Sequence, residues 1–141
     1  ARQNVILKYK RQFLLDPEKI SQSPVDKSFL EKAQKVVLEQ FESPDFNPES
    51  SCRVLNISRT TLHVKLKALI NQSASEFIKT IRIREAIKLL TENRYRISEI
   101  AYMTGFNSPH YFTYSFKQVT GLTPSEFLEK GEKPQSTSEK Q

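Results

Sequence analysis

The chain contains two copies of one short pattern, separated by 50 residues. Ser58 and Lys67 recur as Ser108 and Lys117, and the triplet Ser-Glu-Phe at residues 75–77 recurs at residues 125–127. Between the serine and the lysine of each copy, apolar residues stand four positions apart, which is typical of one buried helical face. The sequence therefore predicts one helical unit built twice, with a basic residue on each copy.

The composition excludes several classes of protein. Hydrophobic residues make up 37% of the chain, and no apolar run approaches the roughly 18 residues that a membrane span needs. The lone Cys52 excludes an intramolecular disulfide and a multi-cysteine zinc site, and it fits a reducing cytoplasm. With three glycines in all, no phosphate-binding loop of the Walker or dinucleotide type can be written.

The positive charge is concentrated in the middle of the chain. Residues 53–96 hold ten Lys or Arg against three Asp or Glu, a net charge of +7, whereas the whole chain has +6. Such clustering is typical of a protein that binds a polyanion, although a solvated basic face would give the same count. Two similar helices at a fixed separation suit a ligand that repeats along its length, and double-stranded DNA is such a ligand.

The periodicity predicts an all-α fold of about seven helices. Asp26 is the expected N-cap of a first helix that runs to about Glu42. A short helix over 48–55, a turn and a longer helix capped by Ser58 form a helix-turn-helix pattern, which recurs after Ile97 with a helix capped by Ser108. A short last helix is expected to run from Pro124 to about residue 129.

A long helix over 74–92 is expected to join the two copies. Phe77, Ile81 and Leu90 lie on its predicted core stripe. Its exposed side is predicted to hold the cations Lys79, Arg82, Arg84 and Lys88. The expected organisation is a linker or the tail of an upstream domain over 1–27, a first subdomain over 28–73, the joining helix over 74–92, a second subdomain over 93–130 and a disordered tail over 131–141.

Residues 97–127, ISEIAYMTGFNSPHYFTYSFKQVTGLTPSEF, resemble the C-terminal signature of the AraC/XylS family of bacterial transcription regulators. The resemblance covers residues 28–129 and implies two helix-turn-helix subdomains joined by a long helix. It makes 58–69 and 108–119 the recognition helices, which would enter two successive major-groove segments of DNA. Residues 8–41 are also similar to the segment that precedes such a domain in hybrid two-component systems of Bacteroidetes.

The first subdomain departs from the family pattern. Ser51 stands where a core leucine is usual, and its hydroxyl must find a backbone carbonyl or cost stability. Asn56 and Asn71 replace glycines, a physically mild change because Asn tolerates a positive φ. Ala74 replaces a proline, and Val64 replaces an arginine that could contact DNA.

The candidate DNA contacts lie on the two predicted recognition helices. Arginine is the commonest base-specific side chain, whereas lysines and cap hydroxyls more often contact phosphates. The residues predicted to contact bases are Arg59, Thr60, Thr61, His63, Pro109, His110, Tyr111 and Tyr114. The residues predicted to contact phosphates are Ser58, Lys65, Lys67, Ser108 and Lys117. A phosphate contact is the alternative for Arg59, His110 and Tyr111, and packing at the helix edge is the alternative for Tyr114. Pro109 is more readily explained as the first residue of its helix than as a base contact, and Lys117 could be held by the fold.

No enzymatic or metal chemistry is expected. His63 and His110 are the only histidines, lie in different subdomains and form no metal set with one distant cysteine, and no nucleophile elbow or cofactor motif is present. The expected partners are double-stranded DNA, an upstream receiver or sensor domain, RNA polymerase and a second copy of the chain, in the cytoplasm and without membrane contact by this segment. A sequence-tolerant architectural DNA-binding protein and a protein-interaction module remain as alternatives.

Overall fold

A computed structural model describes residues 23–132 of the chain, and this part is entirely helical, with no strand. Its seven helices are α1 Pro24–Gln40, α2 Pro48–Leu55, α3 Arg59–Ile70, α4 Ala74–Glu92, α5 Ile97–Met103, α6 Pro109–Thr120 and α7 Pro124–Glu132. The predicted all-α class is confirmed. Of the linker predicted over 1–27, residues 1–22 lie outside the described residues, whereas residues 24–27 belong to α1, so this part of the prediction was wrong. Of the disordered tail predicted over 131–141, residues 133–141 lie outside the described residues, whereas 131 and 132 belong to α7.

The first helix begins earlier than the sequence predicted. Its N-cap is Ser23, whose hydroxyl accepts a hydrogen bond from the backbone N–H of Asp26 at 3.4 Å, so the prediction of Asp26 as the cap was wrong. Pro24 occupies the first helical position, where its fixed φ suits the helix and its missing N–H costs nothing. The helix therefore gains its first turn from a Ser-Pro pair, and Asp26 supplies a negative charge within that turn.

Three asparagines take the left-handed conformation that the turns require. Asn56 has φ 57° and ends α2, Asn71 has φ 56° and ends α3, and Asn93 has φ 57°. In the second copy, glycines take the positive φ in the turns that follow α5 and α6, with φ 90° at Gly105 and φ 86° at Gly121. The prediction that asparagine can replace glycine in the first copy is therefore confirmed.

The described residues divide into two compact units, 23–82 and 83–132, and each has its own core. In the first unit, α1, α2, α3 and the first half of α4 bury a cluster that includes Leu30, Val37, Leu62, Leu66 and Ile81. The second unit buries a mainly aromatic cluster: Phe106, Phe112, Phe116 and Phe127 join Ile83, Ile100 and neighbouring aliphatic residues. Aromatic edges meet ring faces here, with centroids 5.1–5.7 Å apart, the arrangement that ring quadrupoles favour.

The joining helix α4 is more buried than its amphipathic pattern predicted. Arg84, expected on the exposed side, is buried, and its Nε lies 3.4 Å from Glu85 Oε2. Arg82 is half-buried and donates three hydrogen bonds to backbone carbonyls that follow α1: from Nε to Phe41 at 3.1 Å, and from Nη2 to Ser43 at 2.8 Å and to Phe46 at 3.3 Å. The prediction of an exposed face with both arginines was wrong, because α4 is covered on more than one side.

The repeated Ser-Glu-Phe triplet is explained by the starts of α4 and α7. Ser73 and Glu76 exchange hydrogen bonds, with the serine N–H donating to Glu76 Oε1 at 2.8 Å and the glutamate N–H donating to Ser73 Oγ at 3.1 Å. Thr123 and Glu126 make the same pair of bonds at 2.9 and 3.1 Å. Each is a capping box that satisfies two N–H groups at a helix start, and the phenylalanine that follows is buried.

Ser51 is the weak point of the first core. Its side chain is 5% exposed, and its hydroxyl has no hydrogen-bond partner among the described residues. Because the hydroxyl is buried without a hydrogen-bond partner, the cost of its desolvation is not offset. The predicted cost of a serine at this core position therefore follows from the structure.

Candidate nucleic-acid interface

The first helix-turn-helix is formed by α2, the turn at Asn56 and α3. Ser58 caps α3 by accepting a hydrogen bond from the Thr61 N–H at 3.0 Å. Leu62 and Leu66 hold the inner face of α3 in the core. Because these leucines fix the rotation of the helix, the opposite arc faces outward. That arc contains four exposed predicted contacts: Arg59, Thr60, His63 and Lys67.

Three other predicted contacts of the first copy have partners within the protein. The Ser58 hydroxyl donates a hydrogen bond to Thr61 Oγ1 at 3.0 Å, so both hydroxyls take part in the helix cap. Ser58 is nevertheless exposed to solvent. Lys65 is half-buried, and its Nζ lies 5.2 Å from the centroid of the Phe29 ring, within the range of a cation–π contact. Arg59, Thr60, His63 and Lys67 are therefore the more accessible predicted contacts on α3.

The second helix-turn-helix is formed by α5, the turn at Gly105 and α6. Ser108 caps α6 by accepting from the Tyr111 N–H at 3.1 Å. Phe112 and Phe116 are fully buried, as predicted, and Phe106 fills the space beside them. Four predicted contacts are exposed on the outer arc, namely His110, Tyr111, Tyr114 and Lys117, whereas Ser108 and Pro109 are half-buried.

The repeated glutamate of each copy interacts electrostatically with the repeated lysine of the same copy. The hydrogen bond from the Thr123 backbone is the main cause that lowers the pKa of Glu126, and the positive charges of Lys117 and Lys130 lower this pKa further. The pKa of Glu76 is likewise lowered mainly by the hydrogen bond from the Ser73 backbone, and the positive charges of Lys67 and Lys79 lower it further. Each repeated lysine therefore lies in the field of the repeated glutamate, which the sequence pattern alone did not indicate.

Three exposed residues on α3 and α6, namely Val64, Ala68 and Gln118, were not predicted as contacts. Val64, with 57% of its surface exposed, follows His63 on α3. Gln118 lies one turn after Tyr114 on α6, and its Nε2 donates to the Tyr114 hydroxyl at 2.9 Å. A signal for Gln118 was available, because residues four apart share one helical face.

Residues 23–132 contain neither a metal-binding cluster nor a membrane-spanning helix. Within this range no cluster of three or more His, Cys, Asp or Glu side chains is arranged to hold a metal ion. None of the helices described here is long and apolar enough to cross a membrane.

Comparison with known sequences identifies relatives of the domain. The family profile of a helix-turn-helix domain matches residues 51–130. Histidine kinase P4 of Formosa agariphila is 38% identical over 113 residues, which cover 80% of this chain and 8% of the kinase. The transcriptional activator CfaD of Escherichia coli is 34% identical over 73 residues, which cover 52% of this chain and 27% of that protein. The chain thus spans only a small part of these curated relatives.

Solved structures give the same result. The C-terminal domain of AraT, a response regulator from Geobacillus stearothermophilus, superposes with a TM-score of 0.66 at 28% identity, covering 78% of this chain and 88% of that one. ToxT of Vibrio cholerae O395 superposes with a TM-score of 0.63 at 30% identity, covering 70% of this chain and 37% of ToxT. With its two capped helix-turn-helix units and these relatives, the chain belongs to the AraC/XylS family of DNA-binding transcription regulators.

Proposed function

We propose that α3 and α6 are recognition helices that enter adjacent major-groove segments of one DNA duplex. The observation that supports this most directly is the duplication itself: each helix begins at a serine cap, buries one face and turns a polar arc outward. A helix of this diameter fits the major groove of B-DNA, and residues near its N-terminus reach the base edges. In this arrangement Arg59 and His110, at the starts of the two helices, approach bases.

Basic residues of the first unit supply the attachment to phosphates. Lys67 is exposed at the last turn of α3 and is a candidate phosphate contact. Arg82 of α4 hydrogen-bonds to backbone carbonyls and Arg84 is buried, so neither is proposed to contact phosphates. With about five phosphate contacts, the slope of log K against log salt is expected to be about −4 to −5. A slope near zero, with binding to protein partners only, would favour the protein-interaction module instead.

Two variants separate base contacts from phosphate contacts. Arg59→Ala should weaken the best site by about 1–3 kcal/mol and relax the preference at one base pair. Lys67→Ala should weaken all duplexes alike and make the salt slope shallower by about 1. Equal losses for Arg59→Ala on matched and scrambled DNA would make Arg59 a phosphate contact, and a wild-type chain without any preference between duplexes would be the architectural protein.

The wider context of the domain is proposed from its relatives. Residues 28–130 would be the DNA-binding output, and residues 1–27 would connect it to an upstream sensor or receiver domain, as the similarity to a histidine kinase and to a response regulator domain suggests. RNA polymerase and a second copy of the chain are the further proposed partners. A DNA ligand of this kind places the domain in the cytoplasm.

A further inference from the structure

The outer arc of α6 displays two stacked tyrosine rings. The rings of Tyr111 and Tyr114 lie with centroids 6.2 Å apart and an interplanar angle of 27°. About half of each side chain is exposed, 50% for Tyr111 and 55% for Tyr114. Both rings thus leave a large apolar surface in water, whereas all four phenylalanines of this unit are buried.

The two rings are held in place from below. The Tyr111 ring lies 6.0 Å from that of Phe106, a buried residue whose ring contacts fully buried Phe112 at 5.1 Å. The Tyr114 hydroxyl accepts the hydrogen bond from Gln118. A ligand that covers these rings therefore meets a preformed surface and orders few new rotamers on binding.

The arc of α6 has little charge with which to attract a ligand. Its one cation is Lys117, whereas α3 exposes two cations, Arg59 and Lys67, on the corresponding arc. The base contacts made by α6 therefore depend mainly on apolar surface and on neutral hydrogen bonds. On the edges of the bases in the major groove, the apolar group is the 5-methyl of thymine.

We propose that Tyr111 and Tyr114 form an apolar platform that selects thymine in the DNA segment facing α6, by burying its 5-methyl group. The inference rests on the proposed function and adds the chemical feature that the second recognition helix detects. Burying one methyl group corresponds to about a fourfold gain in affinity, and two such contacts to about fifteenfold.

The test replaces thymine by deoxyuridine, which lacks the methyl group and keeps every hydrogen-bonding atom. The probe is a duplex chosen by selection from random DNA with the whole 141-residue chain, with each thymine replaced singly. One or two replacements should weaken binding about fourfold each. Tyr114→Ala and Tyr111→Ala should each lose this discrimination at one or more of these positions, and Tyr114→Phe, which keeps the ring, should retain it.

Tyr102→Ala is the matched control, because Tyr102 is an equally exposed tyrosine that lies on α5 of the same unit. This variant should keep the wild-type response to deoxyuridine. The proposal is overturned if uracil is tolerated at every position of a duplex that is bound specifically, or if the penalty persists unchanged in Tyr114→Ala and Tyr111→Ala. If no duplex is preferred at all, the proposed function fails as well. Specific binding without a response to deoxyuridine would overturn only the thymine contact, so the two failures are distinguishable.

Discussion

Replacement of Arg82 by methionine should destabilise the first unit strongly and leave DNA attachment unchanged. The guanidinium links α4 to three carbonyls that follow α1, and the two bonds to Phe41 and Phe46 are part-buried, at 3.1 and 3.3 Å. A hydrogen bond from a charged donor contributes about 1.5–3 kcal/mol, so these two bonds at the lower limit give a loss of about 3 kcal/mol. The bond to Ser43 is exposed, and water replaces it at little cost.

Urea denaturation followed by circular dichroism measures this loss as a lower midpoint at an unchanged slope. Lys88→Met is the control, since it removes a half-exposed cation of the same helix, and Glu85, which lies 3.1 Å from Lys88 Nζ, keeps Arg84 as a second cation at 3.4 Å. Its loss of stability should therefore be smaller than that of Arg82→Met. Arg82→Lys keeps the charge, loses the forked geometry and should recover only part of the stability. A loss for Arg82→Met no larger than that for Lys88→Met, or a shallower salt slope of DNA binding in the folded variant, would refute the structural role.

Three further predictions concern the cores and the caps. Ser51→Ala should raise stability by about 1 kcal/mol in urea denaturation, because it removes a buried hydroxyl without a partner, and a loss would reveal a partner for it. Phe112→Ala should cost roughly 3–5 kcal/mol and unfold the second unit, and an unchanged melting curve with unchanged DNA binding would contradict its burial. The lowered pKa values of Glu76 and Glu126 mean that their stabilisation is present above pH 4.5 and is lost as the pH falls through the lowered values. The double variant Glu76→Gln, Glu126→Gln should therefore lose less stability than the wild-type chain when the pH is lowered. The same acid dependence of stability in both proteins would contradict this.

The local features of the fold could be predicted from the sequence. Ser58 and Ser108 were identified as caps because each precedes a helical apolar pattern, and Asn56 was identified as a turn residue because it tolerates positive φ. Both depend on neighbours within a few residues. The capping boxes at Ser73 and Thr123 have an equally local signature, a Glu three residues later, and could have been found in the same way.

The features that escaped prediction depend on distant parts of the chain. Arg82 hydrogen-bonds to carbonyls about forty residues earlier, and no local pattern distinguishes it from an exposed cation. Arg84 is buried because α4 is covered on several sides, whereas amphipathic reasoning assumes one buried stripe. The stacking of Tyr111 on Tyr114 likewise requires Phe106 beneath it, which only the folded second unit provides. Which of the exposed candidates contact bases and which contact phosphates stays a prediction.

The central claim, that two recognition helices contact adjacent segments of one duplex, is tested most directly by selecting binding sites from random double-stranded DNA with the wild-type chain. The account predicts two conserved sequence blocks in successive major-groove segments, centred roughly 10 base pairs apart, about one turn of the DNA helix. A single conserved block would show that only one of α3 and α6 contacts bases. Selected sequences without any consensus would contradict sequence-specific binding by this domain.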